Sequence, residues 1–152
     1  MKLGTLCYIE KDGKTLMLHR VKKKNDIHEG NWIGLGGKIE NGESPEECVI
    51  REIKEESGLT IKNPTLRGIL TFPEFGKDDW YVFLYTVNDF EGQLIECDEG
   101  NLKWVNNEDV QKLKMSQGDN LFLEWLTKYK MFSAKFTYKD KKLIDYDLVV
   151  NY

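Results

Sequence analysis

The fold of this chain is decided by residues 37–59, which read GKIENGESPEECVIREIKEESGL. Ser44 is a favourable helix N-cap, and Glu47 three residues later completes a capping box. Pro45 suits the first helical position, because the N–H that it lacks is not needed there. No helix-breaking residue lies between Glu46 and Ser57, and Gly58 can adopt the left-handed backbone conformation that ends a helix. The stretch therefore predicts a helix that begins at Pro45 and ends before Gly58.

The predicted helix has one acidic edge and one apolar edge. The apolar edge consists of Val49, Ile50 and Ile53. At about 100° per residue, Glu52, Glu55 and Glu56 fall in one narrow sector. Glu52 and Glu56 are like charges one turn apart, which destabilises a helix in water by about 0.2–0.5 kcal/mol. A bound cation would remove that penalty, and Mg²⁺ prefers such oxygen ligands. The alternative is a solvated acidic surface, since the chain is 32% charged.

Written as a pattern, the stretch is G-x5-E-x7-R-E-U-x-E-E-x-G-U, with U apolar, and every fixed position is filled. It resembles the signature box of the Nudix hydrolases. The resemblance implies an α/β fold, a mixed β-sheet sandwiched between helices, and hydrolysis of a diphosphate bond. It also implies site residues: Glu52, Glu55 and Glu56 as metal ligands, the Gly37 carbonyl as a further ligand, and Glu43 and Arg51 as residues that orient those ligands.

The cofactor implied by this resemblance is Mg²⁺, with Mn²⁺ as the alternative metal. Diphosphate hydrolysis needs charge neutralisation, a positioned water and a base that accepts its proton. A carboxylate from outside the helix often joins such sites. In the segment Asp98-Glu99-Gly100, Glu99 is the candidate for fourth ligand or base. The same segment is also typical of a plain acidic turn.

Length and composition limit the class of protein. A chain of 152 residues with 40% hydrophobic content suits one domain over residues 1–152. The net charge of −4 gives no basic field, so the expected partner is a small nucleotide rather than a long nucleic acid. Three cysteines without C-x-x-C spacing argue against disulfides and a zinc site. With no long apolar run, we expect a cytoplasmic protein without membrane contact, either monomer or homodimer.

Elsewhere the chain alternates short strand-like runs with turns. Lys11-Asp12-Gly13 is typical of a hairpin turn. Apolar residues at helical spacing over residues 121–129 indicate a second helix, capped by Asp119 or Asn120. Two helices against a mixed sheet make an α/β sandwich. The expected strands are residues 5–10, 14–19, 31–35, 65–72, 80–87 and 101–105, with a closing hairpin over residues 134–148.

A second, longer resemblance concerns the substrate. Residues 30–38, GNWIGLGGK, and residues 55–60, EESGLT, look like the oxidised purine nucleoside triphosphatases. The resemblance implies MutT-like cleavage of 8-oxo-dGTP to the monophosphate and pyrophosphate. The animal enzyme of this group binds the oxidised base with an asparagine, two adjacent aspartates and a tryptophan. This chain has Ile33 at the position of the asparagine and Ser116 at that of the tryptophan. Asp119 matches one of the two aspartates, and the other has no counterpart.

Seven residues are candidate substrate contacts: Thr5, Lys23, Ile33, Lys38, Phe72, Trp80 and Asp119. Arg20 is the alternative to Lys23 as a phosphate contact. Several of these residues have an alternative role. An aromatic residue in a strand is commonly part of the core, and consecutive lysines commonly form a solvated turn. Asp119 also suits a helix N-cap, and both of its roles are compatible, because a capped helix end is a rigid mount for a carboxylate that reads a base.

Three functions remain open from the sequence. The first is sanitation of the nucleotide pool by hydrolysis of oxidised nucleoside triphosphates. The second is a Nudix hydrolase with another substrate, such as a different nucleoside triphosphate, a dinucleotide or a nucleotide sugar, which the departures at Ile33 and Ser116 favour. The third is a non-catalytic nucleotide-binding module. The intact set of Glu52, Glu55 and Glu56 favours catalysis over the third.

Overall fold

The helix predicted from residues 37–59 is present as α1 (Pro45–Ser57) in the computed structural model, which describes residues 1–150. The Ser44 hydroxyl accepts the Glu47 N–H at 3.1 Å, and the Glu47 carboxylate accepts the Ser44 N–H at 2.9 Å. Gly58 adopts φ 84° and ends the helix. Both predicted ends are therefore confirmed. Residues 151 and 152 of the expected domain lie outside the described residues.

Ten strands are found in residues 1–150: β1 (Lys2–Lys11), β2 (Lys14–His19), β3 (Trp32–Ile33), β4 (Thr60–Lys62), β5 (Thr65–Phe75), β6 (Asp78–Val87), β7 (Asp89–Glu91), β8 (Asn101–Asn106), β9 (Phe132–Lys139) and β10 (Lys142–Val149). The main sheet has the order β10-β9-β5-β6-β1-β2-β3, with β8 also paired to β2. β1 runs parallel to β6, and β5 runs parallel to β9, whereas the other pairs are antiparallel. The sheet is mixed, as expected, and β4 and β7 form a separate ribbon.

The sheet is covered on both faces, as the side chains of β1 show. Tyr8 joins one buried cluster, which includes Phe122 and Trp125. Ile9 joins another, which includes Val49 and Ile53 of α1. Successive residues of a strand point to opposite faces of a sheet, so β1 contributes to both cores. The helix α3 (Gln117–Leu126), which carries Phe122 and Trp125, therefore covers the face opposite to α1, and the α/β/α arrangement is confirmed.

The second long helix begins earlier than the sequence predicts. α3 starts at Gln117 after an extended Ser116, so the expected N-cap role of Asp119 or Asn120 is wrong. Asp119 is the third residue of the helix, and its side chain is buried. The helix can start early because a hydroxyl from β9 accepts the N–H of Gly118. A short additional helix, α2 (Asn107–Val110), was not predicted. None of the helices in residues 1–150 has the length and apolar character needed to cross a bilayer.

Candidate active site

A cavity of about 700 Å³ opens between β1, the segment after β2, the turn between β5 and β6, and the start of α3. All seven residues proposed as substrate contacts line it: Thr5, Lys23, Ile33, Lys38, Phe72, Trp80 and Asp119. Glu52 and Glu99 also line its wall. One cavity therefore joins Glu52 of the signature stretch, and Glu99, to the residues expected to bind a nucleotide, whereas Glu55 and Glu56 are not part of its lining. Trp32 is not part of the cavity lining and stacks on His19, with ring centroids 4.3 Å apart.

Arg51 links the acidic edge of α1 to the loop before it. Its guanidinium binds both carboxylate oxygens of Glu43, at 2.5 and 3.0 Å, and donates to the Lys38 carbonyl at 3.2 Å. It also contacts Glu52 at 2.9 Å and Glu55 at 3.3 Å. The hydrogen bonds from Arg51 lower the pKa of Glu43 to about 2. Arg51 thus holds the loop and two box carboxylates in one network.

The pairing of Glu47 with Arg51 that one-turn spacing suggests does not form. The Glu47 carboxylate is engaged with the Ser44 N–H in the capping box. Within residues 1–150, the acidic partners of Arg51 are Glu40, Glu43, Glu52 and Glu55. Glu47 therefore caps the start of α1 and does not form an ion pair with Arg51.

Glu56 is the most deeply placed carboxylate of the box. Its Oε1 accepts the Gly36 N–H at 2.9 Å. Burial and the neighbouring Glu99 carboxylate raise the pKa of Glu56 to about 9. Burial also raises the pKa of Glu52, to which Glu55 and Glu99 contribute further. Neighbouring carboxylates therefore disfavour the charged forms of Glu52 and Glu56, which is the electrostatic setting that a divalent cation relieves.

Gly37 lies directly against the Glu52 carboxylate. A Cβ at position 37 would fall 2.5 Å from Oε2 of Glu52 and 2.6 Å from Oε1, so only glycine permits this approach. The Gly37 carbonyl accepts the Thr5 N–H at 2.8 Å and the Thr5 hydroxyl at 3.3 Å. The Cys48 thiol also donates to this oxygen, at 3.6 Å.

The carboxylates fit a divalent metal by their chemistry but are not held in a preformed ligand shell. Within residues 1–150, no three carboxylate, imidazole or thiol side chains converge at metal-ligand spacing. Arg51 forms ion pairs with Glu52 and Glu55, and Arg20 forms an ion pair with Glu99. Oxygen donors of this kind suit Mg²⁺ or Mn²⁺. Binding of a metal ion by these carboxylates would therefore require the ion pairs to break.

The ion pairs of Arg20 were not predicted from the sequence. Its side chain is only 12% exposed and contacts Asp26 at 2.7 Å and Glu99 at 3.0 Å. Arg20 and Lys23 were both considered as phosphate contacts, and both line the cavity. Arg20 is occupied by two carboxylates, whereas Lys23 makes no ion pair within the described chain. No local pattern signals the contact with Glu99, which joins residues 79 positions apart.

At the end of the cavity formed by α3, Asp119 lies near Tyr8 and Tyr138. It is 9% exposed, and among residues 1–150 its carboxyl group receives no hydrogen bond. Burial alone raises its pKa to about 7. Phe72 packs against Phe75 and Phe136, with ring centroids 5.4 Å apart in each pair. This end therefore offers an unpaired polar group beside apolar ring faces, which is the combination that recognises a planar polar base.

One buried hydroxyl near this end also lacks a partner. Within the described residues, Tyr8 Oη is the buried side-chain polar atom without a hydrogen bond. The Tyr8 ring lies 6.2 Å from that of Phe122, between centroids, and Phe122 lines the cavity. A buried hydroxyl left unpaired lowers the stability of the folded state.

Comparison with known proteins agrees with this geometry. Residues 2–126 match the family model of the NUDIX domain. The chain is 35% identical over 151 residues to the uncharacterized Nudix hydrolase YvcI of Bacillus subtilis, covering 95% of this chain and 92% of that protein. It is 29% identical over 144 residues to the oxidized purine nucleoside triphosphate hydrolase of Danio rerio, covering 94% and 90%.

The same likeness holds in three dimensions. The crystal structure of the mutator MutT protein from Bacillus halodurans matches this chain with a TM-score of 0.88 at 30% identity, covering 97% of each chain. The family model spans most of the chain, and the signature stretch and the mixed sheet between helices agree with it. The chain therefore belongs to the Nudix hydrolases.

Proposed function

We propose that this protein is a Mg²⁺-dependent pyrophosphohydrolase that cleaves oxidised purine nucleoside triphosphates, converting 8-oxo-dGTP to 8-oxo-dGMP and pyrophosphate. The observation that carries the proposal is one cavity lined both by the carboxylates of Glu52 and Glu99 and by the buried, unpaired Asp119. Nudix hydrolases act on small nucleotides and generally use divalent metals. The Danio rerio relative, by its name, hydrolyses oxidised purine nucleoside triphosphates.

At the catalytic end, Glu52, Glu55, Glu56 and Glu99 would hold the metal, with the Gly37 carbonyl as a further ligand. The metal would neutralise charge on the diphosphate oxygens and lower the pKa of an attacking water. Glu99 would accept a proton from that water. Glu43 and Arg51 would orient the ligands through their paired hydrogen bonds.

At the base end, Asp119 would bind the edge of the purine. With a pKa of about 7, its carboxyl group is present near neutral pH both as an acceptor and as an O–H donor. It can therefore complement an edge that presents either an N–H or a carbonyl oxygen. Phe72 and Trp80 would contact the faces of the base, and Ile33 would supply apolar contact.

Between the two ends, cationic side chains would bind the phosphates. Lys23 and Lys38 line the cavity, and Thr5 in the same wall donates its hydroxyl to the Gly37 carbonyl. The neighbouring Lys2 ammonium lowers the pKa of Lys38. The ammonium groups of Lys23 and Lys38 in the cavity lining give a local positive potential in a chain of net charge −4.

The direct test is a comparison of kcat/KM for 8-oxo-dGTP and dGTP in Mg²⁺, with dinucleotides and nucleotide sugars in the same panel. We expect 8-oxo-dGTP to be preferred by at least about tenfold, with Asp119→Asn reducing that preference through KM. Equal kcat/KM values for the two triphosphates, or turnover confined to another member of the panel, would contradict the proposed substrate.

A second candidate, hydrolysis of another nucleotide, is favoured by one observation. Position 33 is an isoleucine on the cavity wall, and position 116 is a serine whose hydroxyl is bonded to Tyr138. The isoleucine has no polar side-chain atom, and the serine hydroxyl is already hydrogen-bonded. Neither residue can therefore make the base contact that the animal enzyme makes at its position. The same panel distinguishes the two candidates, because this alternative predicts higher kcat/KM for a different triphosphate, dinucleotide or nucleotide sugar.

The remaining properties are proposed with this function. We infer a cytoplasmic enzyme of one domain over residues 1–152, active as monomer or homodimer, in nucleotide-pool sanitation linked to DNA repair. The net charge of −4 supports a small nucleotide rather than a long nucleic acid as substrate. Size-exclusion chromatography with light scattering would determine the oligomeric state.

A further inference from the structure

The start of α3 is held by a residue from another element of the fold. Ser116, at the N-cap position, makes no capping hydrogen bond from its side chain to the helix within the described residues. Instead, Tyr138 Oη of β9 accepts the Gly118 N–H at 2.7 Å and shares a hydrogen bond with the Ser116 hydroxyl. A tyrosine 20 positions away thus does the work that a capping side chain ordinarily does.

The close approach of Tyr138 depends on glycine at position 118. A Cβ there would fall 2.6 Å from Tyr138 Oη and 3.1 Å from Cδ1 of Phe136. Any larger residue would push the helix start away from β9. The pairing of Gly118 with Tyr138 is therefore a specific fit between the helix and the strand.

Tyr138 also contacts the opposite wall of the cavity. Its ring meets that of Phe75 edge to face, with centroids 5.4 Å apart, and Phe75 packs on Phe72 at the same centroid distance. The residue that follows Gly118 is Asp119, whose buried carboxyl group lines the cavity. One side chain therefore sets the spacing between the aromatic wall and the helix turn that carries Asp119.

We propose that Tyr138 is a positioning residue for base selection, whose hydroxyl fixes the first turn of α3 so that Asp119 meets the base. This inference rests on the proposed role of Asp119 in the enzyme. Tyr138 does not line the cavity, so it acts through Asp119 and not by touching the substrate. It should therefore affect nucleotide binding far more than the chemical step.

The test is the dissociation constant of 8-oxo-dGMP, measured by titration calorimetry with the full chain, together with kcat for 8-oxo-dGTP. Tyr138→Phe keeps the ring and removes the hydroxyl. We expect it to weaken binding about tenfold, the effect of losing one hydrogen bond that orders a contact group, while kcat changes less than about twofold. In an Asp119→Asn background, Tyr138→Phe should add little further loss.

Two controls separate this role from general loosening of the fold. Tyr146→Phe makes the same chemical change on β10, where the ring packs on Trp125. Gln117→Ala removes a different bond at the same helix start, from the Leu143 N–H to Gln117 Oε1 at 2.9 Å. Both controls should bind 8-oxo-dGMP as the wild type does.

Wild-type affinity in Tyr138→Phe would overturn the inference. So would an equal loss in Gln117→Ala, or a full additive loss in the Asp119→Asn background. If the wild-type enzyme prefers another nucleotide, the proposed substrate is wrong, and the monophosphate of that nucleotide takes the place of 8-oxo-dGMP in the same set of variants. The function and the positioning role can therefore fail separately.

Discussion

Arg20 Nη1 lies 3.0 Å from Oε2 of Glu99, although the two residues are 79 positions apart. The same guanidinium contacts Asp26 at 2.7 Å, and the side chains of Arg20 and Asp26 are 12% and 7% exposed. Because Glu99 also lies beside Glu56, this arginine connects the segment after β2 to the carboxylate cluster. Arg20 thus joins two parts of the site that no sequence pattern relates.

Arg20→Gln should destabilise the protein by about 3–5 kcal/mol, because it leaves the buried Asp26 without its cation. Urea denaturation would measure the change in the free energy of unfolding. Lys128→Gln is the matched control, since its pair with Glu124 is half exposed and should contribute less than about 1 kcal/mol. Equal effects of the two substitutions would contradict a structural role for the buried pair.

Glu56→Gln should lower kcat by at least about 10²-fold while leaving the melting temperature unchanged or higher. The glutamine oxygen can still accept the Gly36 N–H, and the substitution removes a carboxyl group that burial disfavours in its charged form. Steady-state kinetics and thermal unfolding of the same preparation test both parts. A collapse of the melting temperature would identify Glu56 as structural instead.

Asp119 should make stability depend on pH. Its pKa in the folded protein is raised from 3.8 to about 7 by burial, so the folded state holds the proton more tightly than the unfolded chain. Its stabilising contribution is therefore complete below about pH 4 and is lost as the pH rises to about 7. Relative to wild type, Asp119→Asn should gain about 2–4 kcal/mol between pH 4 and pH 8. Urea denaturation at these two pH values measures the gain, and a constant difference would count against it.

Tyr8→Phe should stabilise the protein by about 1 kcal/mol, because it removes a buried hydroxyl that lacks a partner. The control is Tyr85→Phe, whose lost hydroxyl donates to the Glu46 carboxylate and whose removal should destabilise the fold by a similar amount. Denaturation of both variants at pH 7 compares them directly. A loss of stability in Tyr8→Phe would mean that its hydroxyl is paired through bound water.

The sequence was sufficient for features encoded within one element. The ends of α1 follow from Ser44, Pro45 and Gly58, whose effects act within a single turn. The mixed sheet between helices and the Nudix family were predicted and are confirmed. The seven expected substrate contacts do line one cavity, but their roles remain predictions.

Features that depend on contacts between distant elements could not be predicted. Asp119 was interpreted as a cap because local spacing could not show that Tyr138 of β9 would accept the Gly118 N–H. Likewise, Arg20 carried no local sign of its pairing with Glu99. In both cases a polar group finds its hydrogen-bond partner on an element that is distant in sequence. Strand order and packing determine that partner, and neighbouring residues in the chain do not.

The network around Arg51 has a consequence for the folding of the acidic edge of α1. Its guanidinium neutralises Glu43 and contacts Glu52 and Glu55, so repulsion among these three carboxylates is partly offset from within the chain. The chain therefore carries its own counter-ion for these carboxylates while it folds. Under the proposed metal dependence, a chelator should abolish turnover reversibly without lowering the melting temperature, because these ion pairs form within the protein itself.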